Sequence, residues 1–197
     1  RYNRPIPGEI VQMDIMKVAP GLYQYTAIDE CTRMKVIALY PRKTSRNSVD
    51  FLINRVMEDL PFPIQRIQTD RGREWFAYEF QEALMDCHIK FRPIKPFSPH
   101  LNGKVERTQK TDLEEFYATV RLDDPNIHEL LEQWQIYYNS ERPHSSLNNL
   151  SPQEKWLDLC NKTPLHEEVW NAFDIENETY RVQNYKMDSI LSKLKRS

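Results

Sequence analysis

The alternation of side chains in residues 9–18, EIVQMDIMKV, constrains the fold more than any other feature of this sequence. Successive side chains of a strand point to opposite faces, so Gln12 and Asp14 share one face and the apolar residues between them share the other. The apolar face predicts a strand that covers a core. The other face carries Asp14, a carboxylate that is costly to bury unless it is paired or bound to a metal.

Further periodic segments follow this strand in a fixed order. LYQYTAID and MKVIALYP come after short turns and predict an antiparallel meander of three strands. Apolar residues then recur at helical spacing from Val49 to Leu60, with Ser45 as the expected N-cap. IQRIQTD predicts a fourth strand, residues 76–87 a second helix, and IKFRP a fifth strand. The order βββ-α-β-α-β predicts an α/β fold.

The second half of the chain is mainly helical in pattern. A proline-rich stretch predicts an irregular loop, after which a helix is expected to begin at Gly103 with Asn102 as its N-cap. Another helix is expected from Ile127, and SPQE at Ser151 matches a capping box with proline at the first helical position. Beyond about Leu159 the pattern weakens, which leaves open a linker, a helix that docks on a partner, or part of a second domain.

Composition excludes several classes of protein. Of 197 residues 40% are hydrophobic and 28% charged, which is typical of a soluble globular domain. No apolar run approaches the roughly 20 residues of a membrane span, so no membrane partner is expected. Cys31, Cys87 and Cys160 are far apart and form no CxxC, which argues against a disulfide framework or a zinc site and suits a reducing compartment. The chain begins at Arg1 without methionine, and we expect it to be a piece of a longer protein.

Charge is distributed unevenly along the chain. The net charge of −2 argues against a basic nucleic-acid binder as a whole. Between residues 88 and 110, however, Glu106 is the only acid in a basic segment. The basic residues there are Lys90, Arg92, Lys95, Lys104, Arg107 and Lys110. Such a run is consistent either with a solvated surface or with a footprint for phosphates.

Three carboxylates stand at positions where α/β proteins bind ligands. Asp14 lies in the first strand, Asp70 ends the fourth strand, and Glu106 lies in the first turn of a helix. Strand ends are usual ligand sites in α/β sheets, and a helix N-terminus favours negative charge. Mg²⁺ prefers such hard oxygen ligands, and a pair of ions can stabilise both oxygens of a phosphoryl displacement. These residues therefore predict cleavage or transfer of a phosphodiester.

Five segments give the chain a family resemblance. They are QMDIMKV, YTAIDECTRMKVIALYP, IQTDRGREW, PFSPHLNGKVERTQKT and YNSERPHSSLNNLSPQEKW. In this order, from about Val11 to Trp156, they resemble the catalytic core of the retroviral-integrase-like transposases, the DDE recombinases with a ribonuclease-H-like fold. The bacterial insertion-sequence transposases are the most similar group. NGKVER followed by YNSERPHSSL is the most specific part of the resemblance.

The resemblance implies an architecture and a division of the chain. The fold would be α/β and ribonuclease-H-like, a five-stranded mixed sheet flanked by helices, with a helical C-terminal extension. Residues 1–9 would form an N-terminal linker, residues 10–157 the catalytic core, and residues 158–197 a C-terminal extension or linker.

The resemblance also implies a chemistry. Asp14, Asp70 and Glu106 would be the catalytic, metal-binding triad and would hold two Mg²⁺ or Mn²⁺ ions. Family members use this triad to cut a DNA strand at an element end with water and then to join the freed 3′-hydroxyl to target DNA. The expected partners are therefore DNA and further copies of the chain, as a dimer or tetramer on DNA. A bacterial member would be cytoplasmic and associated with the nucleoid.

Basic and polar residues near the triad are the candidate DNA contacts. They are Arg71, Lys95, His100, Asn102, Lys104, Arg107 and Lys110. Capping of the helix is an equal alternative for Asn102, and surface charge is the alternative for Lys104 and Arg107. In ERPHSSL we expect Arg142 and His144 to bond the backbone at a turn. Asp29, at the end of the second strand, is expected to cap a turn.

The sequence departs from the family pattern in two motifs. The usual Asp-Asn-Gly-Ser-Glu-Phe is altered by Arg71, Arg73 and Trp75, and the basic residue expected seven positions after the glutamate is Leu113. Lys110, one turn after the glutamate, is expected to take over that phosphate contact. The helix-turn-helix that usually reads element ends lies outside this sequence, so recognition of particular ends is not assigned to it.

Two other functions remain open at this point. A hydrolytic nuclease on the same fold would share the triad but would not join strands. A domesticated DNA-binding or assembly module would carry a vestigial triad, although the triad is intact here.

Overall fold

A five-stranded mixed sheet forms the centre of the protein in a computed structural model that describes residues 4–95 and 102–194, with side chains to residue 191. The strands are β1 (Val11–Ala19), β2 (Leu22–Asp29), β3 (Lys35–Tyr40), β4 (Arg66–Thr69) and β5 (Lys90–Pro93). Their spatial order is β3-β2-β1-β4-β5. The first three pair antiparallel, and β4 and β5 add in parallel to β1. The predicted meander and the predicted mixed sheet are confirmed.

The pairing of β1 with β4 decides where the acidic residues lie. Met13 lies opposite Thr69 in this parallel pair. Asp14 and Asp70 are the residues that follow these two, so the register brings them to neighbouring positions where β4 ends.

Helices lie between the later strands and after β5 in the chain, and several of them pack against the sheet. They are α1 (Ser45–Phe51), α2 (Arg73–Phe76), α3 (Tyr78–Asp86), α4 (Gly103–Thr111), α5 (Ile127–Ser140), α6 (Pro152–Leu157), α7 (His166–Asn171) and α8 (Ile175–Leu194). Wider π-helical turns continue α1 through Leu52–Val56 to the short helix Met57–Asp59, and α4 through Asp112–Tyr117. Single 3₁₀ turns occupy Ser145–Leu147 and Cys160–Lys162. None of the helices in the described part of the chain is both long and apolar enough to cross a bilayer.

Two clusters of buried side chains cover opposite faces of the sheet. Along β3, Val36 belongs to the first cluster and Ile37 to the second, the alternation expected of a strand. In the first cluster, Phe51 and Phe80 bring α1 and α3 onto the face that carries Met13. In the second cluster, side chains that include Leu131 from α5 and Phe116 from the π-helical end of α4 pack against the other face of the sheet. Both faces of β1 are therefore covered.

The predicted helix starts are confirmed at one position and wrong at another. Ser151 Oγ accepts a hydrogen bond from the Glu154 N–H, and the Glu154 carboxylate accepts from the Ser151 N–H at 2.7 Å, so the capping box is present. Ser45 does not cap α1. The hydroxyl of Thr44 accepts from the Asn47 N–H at 3.2 Å instead. Both residues can cap, and the backbone turns into helix one residue earlier than predicted.

The C-terminal segment packs on the core of its own chain. Helix α8 contacts the edge strand β5, and Val182 is buried there. The Glu178 carboxylate accepts from the Phe91 N–H and from the Arg92 guanidinium, both at 2.7 Å. Together these contacts cover part of an edge that would otherwise expose backbone donors. The predicted boundary between residues 157 and 158 stays a prediction.

Candidate active site

Asp14 and Asp70 form the centre of the candidate site. One carboxylate oxygen of Asp14 accepts from the Ile15 N–H at 2.8 Å, and one of Asp70 accepts from the Gly72 N–H at 2.9 Å. Both side chains are half-buried. Each backbone bond orients its carboxylate through one oxygen, and no hydrogen bond from residues 4–95 or 102–191 engages the other oxygen.

The electrostatics of Asp14 connect all three predicted acids. The pKa of Asp14 is raised to about 6. Burial is the largest cause and the negative charges of Asp70 and Glu106 add to it, whereas the Ile15 N–H and the charge of Lys43 oppose it. Like charges held close together resist ionisation unless a cation neutralises them. A cluster of hard oxygen donors with this repulsion fits a divalent ion such as Mg²⁺ or Mn²⁺.

Glu106 interacts with Asp14 more weakly than Asp70 does. It is exposed in the first turn of α4. Over residues 4–95 and 102–194, no three His, Cys, Asp or Glu side chains lie close enough together to hold one metal ion. The structure therefore brings Asp14 and Asp70 together and leaves Glu106 nearby on its helix. The complete metal triad stays a prediction.

Lys43 and Glu74 belong to the surroundings of the site and were not predicted. Lys43 Nζ lies 2.9 Å from Glu74 Oε1, and Glu74 is only 8% exposed. Burial alone would lower the pKa of Lys43, but the bond to Glu74 and the charges of Asp70 and Asp14 raise it overall. Glu74 occupies the glutamate position of the family motif, a signal that could have drawn attention to it. Nothing in the sequence near Lys43 indicates this pairing.

The polar face of β1 binds α4 through a network of hydrogen bonds. Gln12 Nε2 donates to Glu30 Oε1 at 2.6 Å, and Gln12 Oε1 accepts from the Val105 N–H at 3.2 Å. Lys104 Nζ donates to Glu30 Oε2 at 3.0 Å. This network holds the helix that carries Glu106 against the sheet. The predicted phosphate contact of Lys104 stays a prediction, and in this structure its ammonium bonds Glu30.

The remaining candidate DNA contacts on α4 and near it differ in exposure. Arg107, Lys110 and Lys95 are exposed, and Lys110 Nζ lies 3.5 Å from the Glu114 carboxylate. Asn102 is buried at the N-cap position of α4, but its side chain makes no capping hydrogen bond. The capping role expected for Asn102 is thus wrong. His100 lies outside the described residues, and whether these residues contact DNA stays a prediction.

The three departures in the motif around Asp70 have different surroundings. Arg71 Nε donates to the Ile94 carbonyl at 2.9 Å, and its guanidinium donates to Ser189 Oγ on α8 at 2.6 Å. Arg73 is exposed. Trp75 is fully buried in the first cluster. The structure therefore gives Arg71 contacts within the protein, while a DNA contact for it stays a prediction.

The two turns that were expected to have structural roles contain hydrogen bonds to the backbone. The Asp29 carboxylate accepts from the backbone N–H groups of Gly8, Cys31 and Thr32, and its burial raises its pKa to about 6. His144 bonds the backbone of the turn as expected, with its own N–H donating to the Leu150 carbonyl at 3.1 Å. The N–H of Arg142 likewise donates to the backbone, to the Tyr137 carbonyl at 3.0 Å, whereas the Arg142 guanidinium bonds a side chain. Its Nε donates to the Glu115 carboxylate at 2.8 Å, because that acid faces it from the end of the α4 helix.

Solved structures with the same architecture define the fold class. A chain of the simian T-cell lymphotropic virus intasome, solved with PP2A regulatory subunit B56 gamma, superposes with a TM-score of 0.66 at 20% identity, over 78% of this chain and 55% of that chain. The catalytic core domain of BIV integrase gives 0.65 at 17% identity, over 79% of this chain and 97% of that one. The HTLV-2 integrase catalytic core domain, a dimeric form in complex with magnesium, gives 0.57 at 19%, over 76% and 97%. The fold is that of integrase catalytic cores, and the predicted ribonuclease-H-like class is confirmed.

Sequence comparisons identify the family. Two family models, both described as integrase core domain, match residues 4–99 and residues 87–152. The chain belongs to the integrase core domain family, as its motifs predicted. A curated relative, named "Putative integrase ORF3" of Spiroplasma virus SpV1-C74, is 27% identical over 167 residues that cover 73% of this chain and 46% of the relative. The chain thus spans about half the length of this relative.

Proposed function

We propose that this chain is the catalytic domain of a DNA transposase or integrase that cuts element ends and joins the 3′-hydroxyls to target DNA. The observation that carries the proposal is the adjacent placement of Asp14 and Asp70 on parallel strands of an integrase-type sheet, with the charge of Glu106 acting on the same place. Membership of the integrase core domain family supports it. The class of enzyme is a metal-dependent polynucleotidyl transferase.

Each acidic residue has a role that its surroundings support. Asp14 and Asp70 are oriented by backbone N–H groups and present carboxylate oxygens at the end of β4. Glu106 would complete the ligand set from α4. Two Mg²⁺ or Mn²⁺ ions bound there would supply neutralisation of phosphate charge and activation of the attacking hydroxyl. Lys104, Arg107 and Lys110, on the same helix as Glu106, would hold DNA phosphates beside these carboxylates.

The assembly and location follow from the same proposal. A homodimer or tetramer on DNA is expected, and the dimeric form of the HTLV-2 core supports the smaller assembly. In a bacterium the protein would act in the cytoplasm, at the nucleoid. The catalytic core would span residues 10–157, with residues 158–197 as an extension.

Strand joining is the experiment that tests this function. Pre-cut duplexes with the ends of the encoding element are incubated with a supercoiled target and Mg²⁺ or Mn²⁺, using the wild type and Asp70→Asn. We expect metal-dependent joining by the wild type, and loss of joining with DNA binding retained in the variant. Cleavage without joining would indicate a hydrolytic nuclease. Joining that survives Asp70→Asn would refute the assigned role of the triad, and DNA binding without any metal-dependent chemistry would indicate a vestigial triad.

A further inference from the structure

A groove lies beside the candidate active site, between α4 and the turn that follows α5. It has a volume of about 920 Å³, and the first turns of α4 line it on one side. Residues 142–146, Arg-Pro-His-Ser-Ser, line it on the other, and Gln12 and Glu30 contribute from the sheet. We call it the α4 groove. The proposed function uses two of its lining residues, Lys104 and Arg107, but gives no role to the groove as a whole.

Positive charge dominates the described lining of the α4 groove. The cationic side chains are Arg33, Lys104, Arg107 and Arg142, and the acidic one is Glu30. The Glu30 carboxylate already accepts hydrogen bonds from Gln12 and Lys104. Burial lowers the pKa of the lining residue His144 to about 4, and the charges of Arg142 and Arg33 contribute to the shift. The groove therefore has a positive field that favours an anion.

Several polar groups of the groove have hydrogen-bonding capacity left. Over the described residues, the exposed Arg107 guanidinium makes no hydrogen bond or ion pair. His144 is buried, and its Nε2 has no hydrogen-bond partner in that part of the chain. Ser145 and Ser146 are exposed and present hydroxyls. Arg142 is held in place by Glu115 and also lines the groove. Arginine and hydroxyl donors arranged in this way match the oxygens of a phosphate.

The groove adjoins the acidic site along two of the elements that form that site, β1 and α4. Gln12 lines the groove, and Asp14 is two residues further along the same face of β1, which is roughly 7 Å away. On α4, the groove residue Arg107 directly follows Glu106. Each DNA strand carries one phosphate per about 3.4 Å of helix axis, so a strand at the acidic site has neighbouring phosphates within reach of the groove.

We propose that the α4 groove binds a backbone phosphate of the DNA near the one that reacts at the acidic site. Arg107 and Arg142 supply the charge, and Ser145 and Ser146 supply hydroxyl donors. The groove thereby fixes the direction in which the strand leaves the site. That the ligand is DNA rests on the proposed function. The charge and shape of the groove are observed independently of that function.

DNA binding at several salt concentrations tests the proposal. The measurement is fluorescence anisotropy of a labelled duplex with the full chain in an Asp70→Asn background, so that no reaction occurs. Arg107→Gln should weaken binding several-fold and reduce the slope of log K against log [salt] by about 0.9, the loss of one phosphate contact. Ser146→Glu places a negative charge in the groove and should weaken binding roughly tenfold at low salt.

Matched variants outside the groove provide the controls. Asn171→Glu introduces the same charge change on α7, and Arg181→Gln removes an exposed arginine on α8. Both should leave affinity and salt slope unchanged. Groove variants with wild-type affinity and slope would overturn the proposal. It would also fail if inorganic phosphate bound the groove while DNA affinity did not depend on it.

The two proposals fail in different ways. If the parent protein joins strands but the groove variants bind DNA normally, the groove proposal alone is wrong. If the parent protein joins no strands while DNA binding depends on the groove residues, the groove proposal stands and the proposed function is wrong.

Discussion

Lys43 Nζ lies 2.9 Å from Glu74 Oε1, and the lysine is close enough to Asp14 and Asp70 for its charge to act on both. The lysine comes from the loop between β3 and α1, and the glutamate from α2, directly after the strand end that carries Asp70. Two segments distant in sequence thus place a positive charge beside a pair of carboxylates. This charge offsets part of the repulsion between the two aspartates.

Removal of that charge should strengthen binding of a divalent cation. Lys43→Gln takes away a positive charge that competes electrostatically with a metal ion at Asp14 and Asp70. We expect Mn²⁺ to bind roughly two- to tenfold more tightly, the size of a single-charge effect in a partly solvated site. Isothermal titration of the metal-free protein measures this. Lys162→Gln, a change at an exposed lysine in the C-terminal segment, is the control, and equal or weaker Mn²⁺ binding by Lys43→Gln would contradict the prediction.

The ion pair between Lys35 and Asp112 should show strong coupling. Both side chains are fully buried, and the Asp112 carboxylate also accepts from Gln24 and from the Trp134 indole at 2.8 and 2.7 Å. Lys35→Met alone leaves a buried carboxylate without its cation and should lower the free energy of unfolding by about 3–5 kcal/mol. The double variant with Asp112→Leu should recover much of this loss. Urea unfolding of the wild type, the two single variants and the double variant measures the coupling free energy. If the losses of the two single variants simply add in the double variant, the predicted coupling is refuted.

His144 should make stability depend on pH. Its pKa is about 4 in the folded protein, because of burial first and then the charge of Arg142, against an ordinary value of 6.5. As pH falls from about 6.5 to 4, the unfolded chain binds a proton that the folded protein does not. The free energy of unfolding should therefore fall by on the order of 2 kcal/mol over this range.

Two variants separate this contribution from other titrations. The stability difference between the wild type and His144→Asn should shrink as pH falls through the same range. His128→Asn changes an exposed histidine on α5 and serves as the control. A difference that stays constant between pH 7 and pH 4 would show that His144 is not responsible.

Glu178 should stabilise the contact of α8 with the sheet. Its carboxylate accepts from the Phe91 N–H and the Arg92 guanidinium and is almost fully buried. Glu178→Ala should lower the free energy of unfolding by about 2 kcal/mol and speed hydrogen exchange of the Phe91 amide. Glu176→Ala, at an exposed position on the same helix, is the matched control. Unchanged exchange at Phe91 in Glu178→Ala would argue against this role.

The parts of the fold that follow from local pattern were predictable. The alternation around Asp14, the order of strands and helices and the capping box at Ser151 are all features of short segments, and each is present in the structure. The errors are also local. Thr44 caps α1 in place of Ser45, since adjacent residues with similar side chains compete for one position. Asn102 has the right place for a cap, but its backbone and burial direct the side chain elsewhere.

The surroundings of the site were not predictable in the same way. The Lys104 ammonium bonds Glu30, which comes from another element and also accepts a hydrogen bond from Gln12, and the sequence did not indicate this contact. Arg142 was expected to bond backbone, and its N–H does so, but the ion pair of its guanidinium with Glu115 was not expected. Partners of this kind come together only when helices pack on the sheet, and their charges act through space without regard to sequence distance.

The sequence by itself determined the types and order of the main elements as far as about Leu159, the family and the acids that were candidates for the site. Periodicity records which face of each segment is apolar, and motifs record residues that the chemistry requires. Only the tertiary structure decided that β1 pairs with β4, so that Asp14 lies beside Asp70, that Lys43 binds Glu74 there, and that α8 covers the edge of the sheet. These contacts join residues far apart in the chain, and they depend on the summed packing and electrostatics of the whole fold, which no short segment contains.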